Sequence, residues 1–313
     1  MLTRREFGKL TLAGLALPPE MTTADSTVAG VRLGVQTYSF RDLPRPSSGD
    51  AVETVIKAMT ECGFTECELF APQVEPLFPA GGGVGGPRGP RGAPPSPEAV
   101  KARNDLRRWR LETSLDHFSA VKKKFAAAGI TIYAYNYSPN ASFTDEEIDR
   151  GFEMTKALGA DIITASTTLD VAKRIKPLAE RHKMVVAMHG HSRVDDPNEF
   201  ATPDSFAAAT TMSPYFKVNL DIGHFTAANF DALTFIRERH ADITNLHLKD
   251  MKRNQGDYVP WGQGDAPIRE TLQLLQRERW PIRAYIEYEY RGSGTPVEEV
   301  KKCYAYAKQA LRS

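Results

Sequence analysis

Val185-Val186-Ala187-Met188 runs into His189-Gly190-His191, and Phe216-Lys217-Val218-Asn219-Leu220 runs into Asp221-Ile222-Gly223-His224. Ile243-Thr244-Asn245-Leu246 then runs into His247-Leu248-Lys249-Asp250, and Ala284-Tyr285-Ile286 runs into Glu287. Each run is a short apolar strand, and each ends in side chains that bind metals or move protons. The steps from His189 to Asp221 to His247 to Glu287 each match a strand plus the long crossover that parallel pairing requires. Polar residues at the same end of successive parallel strands describe a barrel with its site at the C-terminal face.

Outward from this stretch the same pattern continues. Residues 31–39 read as strand one, ending in Gln36, Tyr38 and Ser39. Strand two is Glu66-Cys67-Glu68-Leu69-Phe70, with Glu66 and Glu68 on one face. Residues 130–137 are strand three, where alternation puts Tyr133, Tyr135 and Tyr137 on one face, and 161–166 are strand four. Helix signals lie between them. Asp50 with Glu53, and Thr144 with Glu147, read as capping boxes. Thr202-Pro203 and Thr295-Pro296 place proline at the first helical position. A single helix is expected from Thr226 to His240, and Asp265 with Pro267 should open the next. Strands alternating with helices in this way predict an α/β fold, a single (β/α)8 TIM barrel over residues 31–311.

Such a barrel takes roughly 250 residues, and the chain has 313. Part of the excess is a Gly/Pro-rich insertion after strand two, from Pro79 to Pro97, whose composition supports neither helix nor strand. It leaves the catalytic end of a barrel strand and is either a tolerated surface loop or a lid. The rest is a leader, residues 1–24. Thr3-Arg4-Arg5-Glu6-Phe7-Gly8-Lys9 precedes an apolar run from Leu10 to Leu17, the pattern of a twin-arginine signal peptide. That run is too short to span a bilayer. A periplasmic or surface-associated protein with no membrane span after signal removal is expected. Net charge is +1 with no basic stripe, which argues against a nucleic-acid partner. Cys62, Cys67 and Cys303 form no disulfide framework. Cys62 and Cys67 could pair in an oxidising compartment, but small buried hydrophobes are the better reading.

The chemistry lies at the strand ends. His189 and His191 share a face, as do Asn245, His247 and Lys249. Two imidazoles and two carboxylates on neighbouring strand ends (His189, Asp221, His247, Glu287) suit one divalent ion and leave positions open for substrate oxygens. Tyr38, Glu68, Tyr135 and Trp261 are the expected substrate-binding walls.

Asp221-Ile222-Gly223-His224, His247-Leu248-Lys249-Asp250, Gly262-Gln263-Gly264-Asp265 and Ile286-Glu287, in that order, resemble the xylose isomerase-like TIM-barrel superfamily. This is the sugar phosphate isomerase/epimerase group that also includes endonuclease IV. The resemblance spans about residues 31–311. It implies Asp221, His247 and Glu287 as metal ligands and His224 as a substrate contact. The ion would be Mn foremost, with Zn, Co, Fe, Ni or Mg as alternatives. A small-molecule carbohydrate is the implied partner, and a homo-oligomer is compatible. Strand five departs from the pattern: family members often read Glu-Asn-His where this chain has His189-Gly190-His191. The ligand there becomes His189, and the two-carboxylate epimerisation of family 3-epimerases loses one member. Glu287, His191 or His224 then becomes the expected general base, with Lys249 helping to stabilise charge.

The implied activity is a metal-dependent sugar isomerase or epimerase, an isomerase of carbohydrate metabolism. It would abstract a proton next to a carbonyl and pass through a metal-stabilised enediolate. The alternative is a metal-dependent lyase or hydrolase of keto-sugars or 3-keto-glycosides. An endonuclease IV-like site would need histidines on strands two and three, where Glu68 and Tyr135 stand. It would also need an Asp-x-His pair, which Asp257-Tyr258-Val259 is not. A non-catalytic sugar-binding barrel would carry no metal.

Overall fold

The computed structural model describes residues 26–46, 49–77 and 96–313. The leader and most of the Gly/Pro-rich insertion lie outside the described residues. After a short antiparallel strand, Thr27–Val28, come eight parallel strands. They are β1 (Val31–Gln36), β2 (Glu66–Phe70), β3 (Thr131–Asn136), β4 (Ile162–Ala165), β5 (Val185–His189), β6 (Phe216–Asp221), β7 (Ile243–Leu248) and β8 (Arg283–Ile286). They pair in sequence order, and β1 pairs with β8 through Leu33 opposite Ala284 and Val35 opposite Ile286. The sheet therefore closes: the fold is a TIM barrel, as the strand-end pattern implied.

Helices wrap it: α1 (Val52–Cys62), α2 (Pro97–Glu112), α3 (Leu115–Ala127), α4 (Asp145–Leu158), α5 (Leu169–His182), α6 (Pro203–Met212), α7 (Ile222–Ala227), α8 (Ala232–Arg239), α9 (Ile268–Glu278) and α10 (Pro296–Ala310). Their apolar stripes, such as Val52, Val55 and Met59 on α1 and Ile268, Leu272 and Leu275 on α9, are buried against the barrel. None is long and apolar enough to cross a membrane.

Four local expectations change. The helix expected from Thr226 to His240 is two helices. Asn229 takes a left-handed φ of 68°, and Asp231 Oδ1 caps α8 by accepting from the amides of Leu233 and Thr234. The first of the two, α7, begins directly after Asp221, whose Oδ1 accepts from the His224 amide at 2.9 Å. Asp50 accepts only from the Val52 amide, and α1 has no side-chain cap. Helix α9 starts at Ile268 without one, because Asp265 turns back to the Arg253 amide. The α4 box is half formed: Thr144 Oγ1 accepts from the Glu147 amide, while the Glu147 side chain is diverted to arginines on α2.

That diversion builds a buried ionic clamp. Arg110 on α2 binds Glu75, in the loop after β2, through two nitrogens at 2.7 and 2.9 Å. A third nitrogen reaches Glu147 at 2.7 Å. The guanidinium also stacks near the rings of Tyr137 and Phe143. Across α2, the post-β2 loop and α4, it fixes where the chain re-enters the barrel after the insertion. The three cysteines are free and buried, and burial pushes the Cys62 thiol up to about 12.

Candidate active site at the barrel mouth

The barrel interior is organised on Glu68. This side chain is fully buried, and its two oxygens accept from five donors on four strands. Gln36 Nε2 (2.5 Å), Asn136 Nδ2 (3.1 Å) and Thr164 Oγ1 (2.6 Å) meet Oε1. Asn245 Nδ2 (2.8 Å) and His247 Nε2 (2.9 Å) meet Oε2. A buried carboxylate is tolerable when it is satisfied in this way. Its effect on His247 is to pin the ring, leaving Nδ1 aimed toward Glu287 Oε2 at 2.9 Å.

Above that layer the strand ends converge. Single atoms of His189, Asp221, His247 and Glu287 all lie within 4.8 Å of one another, and all four residues are buried. His189 presents Nε2, because Asn219 Oδ1 holds its Nδ1 at 2.7 Å. Asp221 Oδ2, His247 Nδ1 and Glu287 Oε2 are buried with no well-formed hydrogen bond. They are held instead by charge contacts with one another and with Lys249, and buried donors clustered in this way can hold a cation. The donor set, two imidazoles and two carboxylates, fits a borderline or hard divalent ion.

Lys249 supplies the positive charge here. Its Nζ lies 2.8 Å from Asp221 Oδ2 and 3.0 Å from Glu287 Oε2, and it also contacts Glu289. Burial opposes its charge, but the three carboxylates outweigh burial and hold its pKa well above the ordinary lysine value. Burial likewise opposes protonation of His247, and Glu68 and Glu287 override it, so its pKa is raised. A metal at Nδ1 would take the place of that proton. His189 and His224 go the other way: burial, with neighbouring positive groups, pushes both well down. His191 falls to about 4 through burial and Lys249. Neutral imidazoles are the ligand and proton-acceptor forms.

Over the donors lies a cavity of about 380 Å³. Its wall includes Tyr38, His191, His224, Lys249, Tyr258 and Glu289. Tyr38 thus sits where the sequence reading put it. Three other expected walls do not. Glu68 lies beneath the cavity as the hub just described. Tyr135 packs outside the barrel, stacked on Tyr137. The cause is a register shift in β3: Cys67 pairs with Ile132 but Glu68 with Ala134. The extra residue breaks the alternation, so Tyr133 reaches across to the Thr244 carbonyl while Tyr135 does not share its face. Trp261 lines a separate cavity with Tyr290 and stands edge-on to Tyr306. Glu289, Tyr258 and Asn219 were missed. Glu289 was findable, since it is two residues beyond Glu287; Tyr258 sits in an irregular loop that no periodicity locates.

The glycine-rich motif has a structural cause. Asp250 accepts from the amides of Gly262 (2.8 Å), Gly264 (2.9 Å) and Ala266 (3.3 Å), tying down the loop after β7. A Cβ on Gly264 would lie 1.9 Å from Asp250 Oδ1, and Gly262 has φ +85°. Only glycine fits either position.

Residues 98–310 match the family model described as a xylose isomerase-like TIM barrel. The chain belongs to that family. No curated protein matches this xylose isomerase-like chain in sequence. Among solved structures it is similar to a sugar phosphate isomerase/epimerase from Parabacteroides distasonis, at 17% identity and TM-score 0.55, covering 90% of this chain and 97% of the other. It is similar to the probable 3-DHS dehydratase from Bacillus anthracis, at 14% identity and TM-score 0.58, covering 88% and 98%. It is also similar to 3-keto-D-glucoside 4-epimerase from E. coli, at 11% identity and TM-score 0.57, covering 89% and 99%. At these identities the likeness is one of fold.

Glu68→Gln keeps size but replaces one acceptor oxygen with a donor facing the donors around it. His247 then loses its fixed orientation, and divalent-ion affinity should fall about 10–100-fold, the usual cost of disturbing a ligand's supporting partner. Isothermal titration with Mn and Zn would measure it; unaltered affinity would show that Glu68 does not position His247.

Proposed function

We propose that the protein is a metal-dependent sugar isomerase or epimerase. The observation that carries this reading is the convergence of His189 Nε2, Asp221 Oδ2, His247 Nδ1 and Glu287 Oε2 beneath an open polar cavity. His189, Asp221, His247 and Glu287 would hold one divalent ion, which would supply Lewis-acid polarisation of a sugar carbonyl and its neighbouring hydroxyl.

The chain's own groups then have distinct tasks. Lys249 faces the cavity with a fixed positive charge where oxyanion character develops as the α-proton leaves. His191 and His224 line the cavity and stand 5.3 Å apart between ring centres. Being neutral, either can accept the α-proton. His191 Nδ1 lies 3.4 Å from Glu199 Oε2, which orients its ring. Glu289 lines the same cavity on the β8 side and is the second proton-carrying group there. This pairing replaces the strand-five carboxylate that the chain lacks. Proton return to the neighbouring carbon gives an isomer, and return to the same carbon from the opposite face gives an epimer.

Replacing His191 with Ala should lower turnover about 10²–10⁴-fold, the usual worth of a positioned acid or base, with metal content unchanged. The test of the reading as a whole is product analysis by NMR. Metal-loaded protein would be incubated with free ketoses and with 3-keto-glycosides in D2O. A rearranged sugar carrying solvent deuterium supports isomerisation or epimerisation. Release of the aglycone without rearrangement would reject it in favour of elimination or hydrolysis.

A further inference from the structure

The histidine-lined cavity does not end above the four donors. A second cavity of about 540 Å³ adjoins it, and Ser138, Ser166, His191, His224 and Tyr258 belong to the walls of both. Each volume lies within the range of small-molecule sites, about 300–1,000 Å³. The second wall is built from the loops after β3, β4 and β5. It presents hydrogen-bonding groups with spare capacity: the hydroxyls of Ser166 and Ser192 and the side-chain Nδ2 of Asn198 have no partner among the described residues.

Its charges, by contrast, are all engaged. Arg193 is paired with Glu199 and lies 3.9 Å from Asp196. Lys249, in the first cavity, is held by three carboxylates. Helix α5 points its N-terminus at this trough, which would ordinarily favour an anion. Here the amides of Leu169 and Asp170 already donate to Asn198, and that of Val171 to Thr168. Asp170 adds a negative charge in the same turn. Among the described residues lining either cavity, no cation or helix amide is left for a phosphate, and an unpaired dianion would be costly to desolvate.

We propose that the substrate is an uncharged carbohydrate of two units, with the reacting ketose in the histidine-lined cavity and a second hydroxylated unit in the adjoining trough. The assignment of the first cavity rests on the proposed function; the two-unit length and the absence of phosphate rest on the trough.

Calorimetric titration of the metal-loaded full chain with fructose, fructose 6-phosphate, lactulose and maltulose tests this. At least one disaccharide should bind about tenfold or more tightly than fructose, and fructose 6-phosphate no more tightly than fructose. Ala141, exposed on the trough wall, offers a block: Ala141→Trp should bring the disaccharide-to-fructose affinity ratio to within about twofold of one. Ser192→Leu is the second block should the first misfold. Tighter binding of the phosphate, disaccharides no better than fructose, or a ratio untouched by either block would overturn the inference while leaving the metal-site reading standing. Binding of none of the four, or binding indifferent to removal of the metal, would instead overturn the proposed function.

Discussion

Asp221→Asn is expected to cut turnover by about 10³-fold or more while leaving the barrel folded. Oδ2 is the atom aimed at the other donors, whereas Oδ1 caps α7 by accepting from the His224 amide at 2.9 Å. Asparagine keeps an acceptor for the cap and loses the charge. Lewis-acid stabilisation is worth several kcal/mol, and each 1.36 kcal/mol is tenfold in rate, so about 10³-fold follows. Lys249 keeps Glu287 and Glu289 as partners, so no buried ammonium is stranded. Steady-state rates with circular dichroism measure both halves. A variant that is fully active would show that Asp221 serves the cap alone.

Arg110→Met is expected to be the most destabilising single change outside the site. Methionine fills the space but leaves Glu75 and Glu147 buried, with Arg107 as the remaining cation near Glu147. Breaking a buried ion pair from one side costs about 3–5 kcal/mol, because the surviving charges have no solvent. In a chain of this size that lowers the melting temperature by about 10 °C. Adding Glu75→Gln to Arg110→Met should recover part of the loss, since it removes one stranded charge. Urea denaturation of the two variants measures this. A single variant as stable as the parent would mean that water reaches the clamp.

Much of the architecture was legible because barrel strands are short apolar runs with polar ends. His189, Asp221, His247 and Glu287 each close such a run, and the same end of the barrel collects them. What was illegible depended on neighbours rather than on local pattern. The parity of Tyr135 turned on a one-residue slip between β2 and β3, which neither strand announces. Glu68 looked like a cavity wall because strand alternation gives only a side. Its role as the hub follows from donors lying from 32 to 179 positions away in sequence. Trp261 belongs to a loop whose course is set by Asp250 collecting three amides, an arrangement visible only once the loop is folded. The break between α7 and α8 carried a signal in Asn229 and Asp231, a left-handed residue followed by a cap, that apolar periodicity alone overrode.

The chain also offers a competing set of donors. Atoms of His189, His191 and His224 lie within 4.8 Å of one another too. His189 has only Nε2 free, because Nδ1 is engaged by Asn219, so it can serve one set at a time. The set containing Asp221 and Glu287 supplies negative charge to offset a dication, which the three neutral imidazoles do not. Anomalous diffraction from crystals of the Mn- or Zn-loaded protein separates the two. A single peak among His189, Asp221, His247 and Glu287 is the result this account requires; a peak among His189, His191 and His224, or no peak at saturating metal, would contradict it.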